Sequence, residues 1–269
     1  MGDLVTIEIS GGVADVRMNR PDKYNALSRD MFAALGDAGE RLAREPGIRA
    51  VVLSGNGRGF CAGLDMNSFQ AMSAGGSGGT PEGAVPKAGS SRPDNFFQHC
   101  AYVWKTLPAP VIAAVHGVAY GGGFQIAMAA DLRIARPDAR FSIMEIKWGL
   151  VPDVAITQTV RDVLRLDVAK DLVWTGRIVD GREAQALGIV TRLAEDPLAA
   201  AQELAREIAS KSPQAVRAGK RLLEEAWHAD PATGLALEAQ LQRGLIGAPN
   251  QIEAVKANFE KRAPRFEDA

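Results

Sequence analysis

The alternation of apolar and polar positions along the first fifty residues sets out a β-hairpin, a helix and a strand. Val5-Thr6-Ile7-Glu8-Ile9 and Val13-Ala14-Asp15-Val16-Arg17-Met18 each alternate with a period of two, and Gly11-Gly12 lies between them, which predicts an antiparallel hairpin. Ser28 is a candidate N-cap. After it Phe32, Leu35, Ala38 and Leu42 recur at three- and four-residue steps, the mark of an amphipathic helix that Pro46-Gly47 stops. Ile48–Leu53 reads as a buried strand, so strand, helix and strand follow in the order of a parallel α/β fold.

The same grammar returns in the middle of the chain. Val111–Val115 is a buried strand that runs into His116-Gly117, then Gly121-Gly122-Gly123, then a short helix over Phe124–Ala130, with Leu132–Ala135 as the next strand. A helix is expected over Val154–Leu164, with Asp153 placed to cap it. From Pro197 the periodicity is helical throughout, over Leu198–Ala209, Ala215–Trp227, Leu235–Ile246 and Ile252–Phe259, with Pro213, Pro231 and Pro249 near helix starts. The division expected is an α/β core over 1–195 and a helical region over 196–269 that serves as lid and oligomer interface. Ala71–Pro93 is dense in Gly, Ser and Pro and is expected to be a flexible loop.

Composition narrows the function classes. The 269 residues carry 31 Lys+Arg against 32 Asp+Glu, a balance with no global field for nucleic acid or a membrane surface. The two cysteines, Cys61 and Cys100, form no CxxC and no ligand spacing, so neither a zinc site nor a disulfide framework is expected. No apolar run reaches the roughly 18 residues of a membrane span, and the N-terminus lacks the layout of a secretion signal. The expectation is a cytoplasmic protein. Gly75-Gly76-Ser77-Gly78-Gly79 matches a nucleophile elbow in letters only, since it lies in a low-complexity stretch. His99, His116 and His228 show no base-orienting partner in the sequence.

Two glycine-bearing segments carry the chemistry. Ser54–Asp65 follows a buried strand, and His116–Gln125 follows another and enters a helix. At both, a backbone N–H can point into a cleft, and a helix start adds unpaired N–H groups and positive partial charge. Two such amides aimed at one oxygen make an oxyanion hole.

Together these segments resemble the crotonase (enoyl-CoA hydratase/isomerase) superfamily. The likeness rests on Asn19-Arg20-Pro21 with Asn25-Ala26-Leu27, on Phe60–Asp65, on Gly121-Gly122-Gly123, on Gly176-Arg177 through Ala184 and Gly188-Ile189-Val190, and on Phe259–Arg262. The resemblance implies a repeated ββα spiral core with a C-terminal helical region. It implies an acyl-CoA thioester as substrate, no cofactor beyond that CoA, and a homotrimer or homohexamer. Carried over by position, the oxyanion donors are the N–H groups of Leu64 and Gly122. Lys23, Ala26, Ala62 and Asp65 lie along the CoA, and Lys261 meets a phosphate from a neighbouring subunit.

The reaction is where this sequence departs from the family. Hydratases of the superfamily use two glutamates, and the first of those positions is Gln125, an amide that cannot exchange a proton near neutral pH. The second is Glu145, and Asp153 follows eight residues later. That pair resembles the dienoyl-CoA isomerase branch, although an aspartate usually stands there at the position of Gln125. Gln125 is read as orienting substrate or water, or as a packed amide. Double-bond isomerisation is the leading expectation. A 2-enoyl-CoA hydratase using Glu145 and Asp153, and a non-catalytic acyl-CoA-binding protein, are the alternatives. Trp104, Trp148, the 71–93 loop and the C-terminal helices are expected to wall the acyl pocket.

Overall fold

The structure is a computed structural model that describes residues 3–73 and 92–268. The chain opens with strands β1 (Val5–Ser10) and β2 (Val13–Met18), helix α1 (Arg29–Arg44), strand β3 (Ala50–Gly55) and helices α2 (Met66–Ser73) and α3 (Phe96–Thr106). Strands β4 (Val111–Val115) and β5 (Val118–Tyr120), helix α4 (Gly122–Met128), and strands β6 (Leu132–Ala135) and β7 (Arg140–Ser142) follow. Then come α5 (Ile156–Thr159), α6 (Leu166–Thr175), β8 (Val179–Asp180), α7 (Gly181–Leu187) and β9 (Arg192–Leu193). Four helices close the chain: α8 (Pro197–Ala209), α9 (Pro213–Ala226), α10 (Pro231–Leu245) and α11 (Pro249–Phe259).

Six strands form one sheet in the order β1-β2-β3-β4-β6-β9, antiparallel only at the β1–β2 hairpin. A second sheet, β5-β7-β8, stands beside it. Side chains of a strand alternate between faces, and here each face has its own cover. Val51, Leu53, Ala113 and Val115 point into the larger core with α1 and α3, whereas Ala50, Val52, Ile112 and Ala114 meet α8. That helix presents Ala201, Ala205 and Ala209, small residues at four-residue steps that bring its axis close to the sheet. The central strands are therefore apolar on both faces, which is why their sequences run without alternation.

Several expectations hold in detail. The hairpin turns at Gly11-Gly12, Ser28 Oγ accepts the Met31 N–H at 3.3 Å, and the strands at 111–115 and 132–135 fall where the pattern placed them. Others need correction. The expected helix over Val154–Leu164 is a single turn, α5, and its N-cap is Ala155 in the left-handed region, so Asp153 caps nothing. Ala71–Ser73 belong to α2, and residues 74–91 of the expected loop, with the Gly75–Gly79 motif, lie outside the described residues. Trp104 is wholly buried in the core and walls no pocket. Helix α3 was not expected, and it begins at a reciprocal capping box between Asn95 and Gln98. Among the described residues no helix is long and apolar enough to cross a membrane.

Candidate active site

The segment after β3 and the segment after β4 come together at the carboxyl ends of their strands. Cys61 N donates to Val118 O and Tyr120 N to Cys61 O, both at 3.0 Å, a short parallel bridge that lays Ala62–Asp65 beside Tyr120–Gly122. A second bridge joins Leu27 to Leu64, with Leu27 N donating to Gly63 O and Asp65 N to Leu27 O. Gly63 sits at φ +86°, and a Cβ there would stand 2.7 Å from Tyr120 O and 3.6 Å from Gly122 N. Only glycine fits this approach. The N–H groups of Leu64 and Gly122 donate to no acceptor among the described residues, whereas those of Cys61, Ala62, Asp65, Tyr120 and Gly121 are paired. Gly122 is the first residue of α4, where an N–H has no partner inside the helix.

Asn25 ties the first strand-end loop to this arrangement. It is fully buried, in the left-handed region at φ +55°, and its Nδ2 lies within 3.1 Å of the carbonyls of Asn56, Gly59 and Phe60. Asn25 Oδ1 accepts the Arg20 N–H at 2.8 Å. Arg20 in turn pairs with Asp65 and donates to Ala26 O. Asp65 also accepts the Asn67 N–H, and that bond, with Arg20 beside it, holds its carboxyl below the usual range. The Asp65 side chain is thus committed to the protein. Lys23 is exposed beside this edge and Ala26 is buried. Lys261 lies exposed after α11, and no contact within the chain joins it to this cluster among the described residues.

The carboxylates approach from β7 onward. Glu145 begins a 3-10 turn, Glu145–Trp148, and its Oε1 would stand 3.3 Å from a Cβ at Gly121, next to the unpaired Gly122 amide. Gly121 itself adopts φ +52°, a conformation that admits no side chain without strain. Gln125, wholly buried on the first turn of α4, donates from Nε2 to Glu145 Oε1 at 2.6 Å and accepts the Val154 N–H on its Oε1 at 2.8 Å. One amide therefore braces Glu145 and the residue next to Asp153. Glu145 Oε2 is buried without a hydrogen-bond partner among the described residues. Burial pushes the Glu145 carboxyl up, and the nearby Asp153 charge adds to the shift. Burial also raises Asp153, although that residue opens to solvent on one side.

The remaining candidates lie elsewhere. Each histidine has an oxygen partner that the sequence did not reveal: His99 meets Asp94 at 2.6 Å and Glu40 at 3.1 Å, His116 meets Gly57 O, and His228 meets Asp162. None of these partners is a residue of the cluster. Both cysteines are buried, and desolvation pushes the Cys61 thiol up to about 12, so it is no thiolate nucleophile.

Two unpaired amides on converging glycine segments, with a buried carboxyl alongside, define a site for a carbonyl that develops negative charge while a proton is moved. The chain belongs to the enoyl-CoA hydratase/isomerase family, whose model matches residues 8–269. It is 34% identical to the mitochondrial enoyl-CoA hydratase domain-containing protein 2 of Bos taurus over 95% of this chain and 84% of that protein. It is 30% identical to the mitochondrial methylglutaconyl-CoA hydratase of Homo sapiens over 96% of this chain and 75% of that protein. The crystal structure of an enoyl-CoA hydratase from Bacillus anthracis superposes with a TM-score of 0.86 at 30% identity, covering 98% of each chain. The crotonase-like α/β fold and an acyl-CoA-processing activity follow from this membership.

Proposed function

We propose that this enzyme isomerises the double bond of an unsaturated acyl-CoA through an enolate held by the N–H groups of Leu64 and Gly122. The observation that carries this reading is the Gln125–Glu145 contact. It leaves one carboxylate, Glu145, against the oxyanion amides, where a pair of glutamates would handle water. In the proposed step Glu145 Oε2 takes the proton from the carbon next to the thioester of a 3-enoyl-CoA. The electron pair moves onto the thioester oxygen, where the two amides stabilise it, each to the extent of about 2.7–4 kcal/mol. A proton is then returned further along the chain: Glu145 gives the same proton to the fourth carbon, or Asp153, protonated at the start, gives its own to the sixth carbon of a 3,5-dienoyl-CoA, after which Glu145 loses its proton to solvent and Asp153 takes one up. Either way atoms and electrons balance, and no cofactor is needed beyond the CoA that the substrate carries. Lys23, Ala26, Ala62 and the Asp65 backbone form the CoA edge in this reading.

A second reading is 2-enoyl-CoA hydration, with a water held between Glu145 and Asp153. It is favoured by the solvent-open side of Asp153 and by the hydratase names of the relatives. One experiment separates the two. A 3-enoyl-CoA, a 3,5-dienoyl-CoA and a 2-enoyl-CoA are each incubated with the protein while absorbance of the conjugated thioester and product mass are followed. Isomerisation gives growing conjugation at constant mass. Hydration gives loss of conjugation with the gain of one water. No change in any of the three would sink both readings and leave the acyl-CoA-binding alternative.

We also propose self-association. Trp174, Trp227, Leu235, Ile246 and Phe259 expose large apolar surface on and beside α6 and the C-terminal helices, which suits a homotrimer or a dimer of trimers. A phosphate contact by Lys261 would then come from the neighbouring subunit. Light scattering that returns the mass of a single chain would overturn this.

A further inference from the structure

We propose that a stacked pair, Phe69 on Trp148, is the stop that sets how long an acyl group the site accepts; this rests on the acyl-CoA reading of the same cleft. The two rings stack with centroids 4.1 Å apart and planes 20° from parallel. They come from two separate segments that follow residues of the candidate site. Phe69 lies on α2, one helical turn beyond Asp65 and so just after the segment that carries the Leu64 amide. Trp148 closes the 3-10 turn that Glu145 opens. Side chains three residues apart on such a turn eclipse one another, so Trp148 stands on the same face as Glu145. The stack therefore bridges the cleft directly beyond the reacting carboxylate, on the route that the distal carbons of the acyl group must take.

The neighbourhood supports a wall rather than a packed core. Trp148 remains 41% exposed, and Met66, Ile146 and Leu150 around it also present apolar surface to solvent. A short acyl group ends beneath the rings and touches their apolar faces. A long one passes only if the pair separates, which forfeits the stacking.

The test measures binding of saturated thioesters, which neither isomerisation nor hydration can consume. The full chain and its Phe69→Ala, Trp148→Ala and Trp148→Phe forms are titrated by calorimetry with butanoyl-CoA and decanoyl-CoA. In the unaltered protein the six extra methylenes, which would raise affinity by orders of magnitude if buried, are expected to change it by no more than about threefold. Each alanine form is expected to shift the ratio about three- to tenfold toward decanoyl-CoA, and Trp148→Phe, which keeps a stack, to stay with the unaltered protein. A ratio unmoved in both alanine forms overturns the proposal. So does an unaltered protein that binds decanoyl-CoA far more tightly than butanoyl-CoA, a result that stands even if the alanine forms fold poorly. Absence of turnover with unsaturated thioesters would sink the proposed reaction and leave this affinity ratio intact.

Discussion

Gln125 holds Glu145 by one oxygen only: its Nε2 takes Oε1 at 2.6 Å, while Oε2 stays buried and unpartnered among the described residues. A carboxylate so held presents a single basic oxygen in a fixed direction. The amide also carries the Val154 N–H on its other end, so the orientation of Glu145 and the path of the chain at Asp153 are set by one side chain.

Replacing the proposed reacting group tests that arrangement most directly. Glu145→Gln keeps the shape and can still accept the Gln125 bond, yet it cannot take a proton. Turnover is expected to fall by about 10²–10⁴-fold while acyl-CoA affinity changes little. Steady-state rates and a calorimetric titration on the same preparation would show the split. Equal losses in both would remove Glu145 from the chemistry.

The same substitution should make the protein more stable. Burial holds the Glu145 carboxyl above its ordinary value of 4.5, so the native state binds more protons than the unfolded chain in the interval above that value. Stability contributed by the protonated form is present below the unfolded value and is lost as pH rises through the raised one. Glu145→Gln removes this loss. Denaturant melts are expected to show a gain at pH 7 that disappears by pH 4, and a gain of equal size at both would contradict the burial argument.

Gln125→Glu would restore a pair of glutamates in contact. Two carboxyls at the separation of the present bond cannot both ionise, so they would share a proton. The acid limb of the pH–rate profile should move to higher pH relative to the unaltered enzyme, and water addition should gain on isomerisation. A profile that does not move would mean that residue 125 no longer touches Glu145.

At Gly63 the expectation is geometric. An added methyl would meet Tyr120 O at 2.7 Å, and φ +86° is unfavourable for alanine, so the Gly63–Leu64 peptide must shift. Loss of one donor raises the barrier by about 2.7–4 kcal/mol. Gly63→Ala should therefore lower kcat by about 10²–10³-fold with the fold retained by circular dichroism.

Asn25→Ala addresses stability. It strips the Nδ2 partner from the carbonyls of Asn56, Gly59 and Phe60, of which the last two are buried. An unsatisfied buried polar group costs about 1–3 kcal/mol. Urea melts should show a loss of at least about 2 kcal/mol, with partial relief if water enters.

Much of this was legible in the sequence, for identifiable reasons. Strands β3 and β4 announce themselves because both of their faces are apolar, and the helix between Ser28 and Pro46 because one apolar stripe recurs at three- and four-residue steps. The two candidate oxyanion segments stood out because glycine at 63 and 123 marks backbone that must approach other backbone. What stayed hidden depends on contacts between distant residues. The role of Gln125 needed the placement of Glu145 twenty positions later, and an amide looks the same in sequence whether it packs or braces. For Asp153 the sequence offered a helix cap beside the reading as a carboxylate of the site, because Asp before an apolar run is often a cap. Here Ala155 turns left-handed and the helix shrinks to one turn, so the carboxylate caps nothing. The short strands β5, β7 and β8 have too few residues to show any period.

The bridge between Cys61 and Ala119 has a consequence for how the site can fail. The two candidate donors lie on strand ends stitched to one another, so thermal motion carries them as a single body. A disturbance that moves the stitched strand ends together, unlike a local shift of the Gly63–Leu64 peptide, carries Leu64 and Gly122 away from the thioester oxygen at once. Damage here should then appear as a population of molecules that are wholly inactive among others that are wholly active, and the loss would be read in the fraction of competent sites, with each surviving site turning over at full speed.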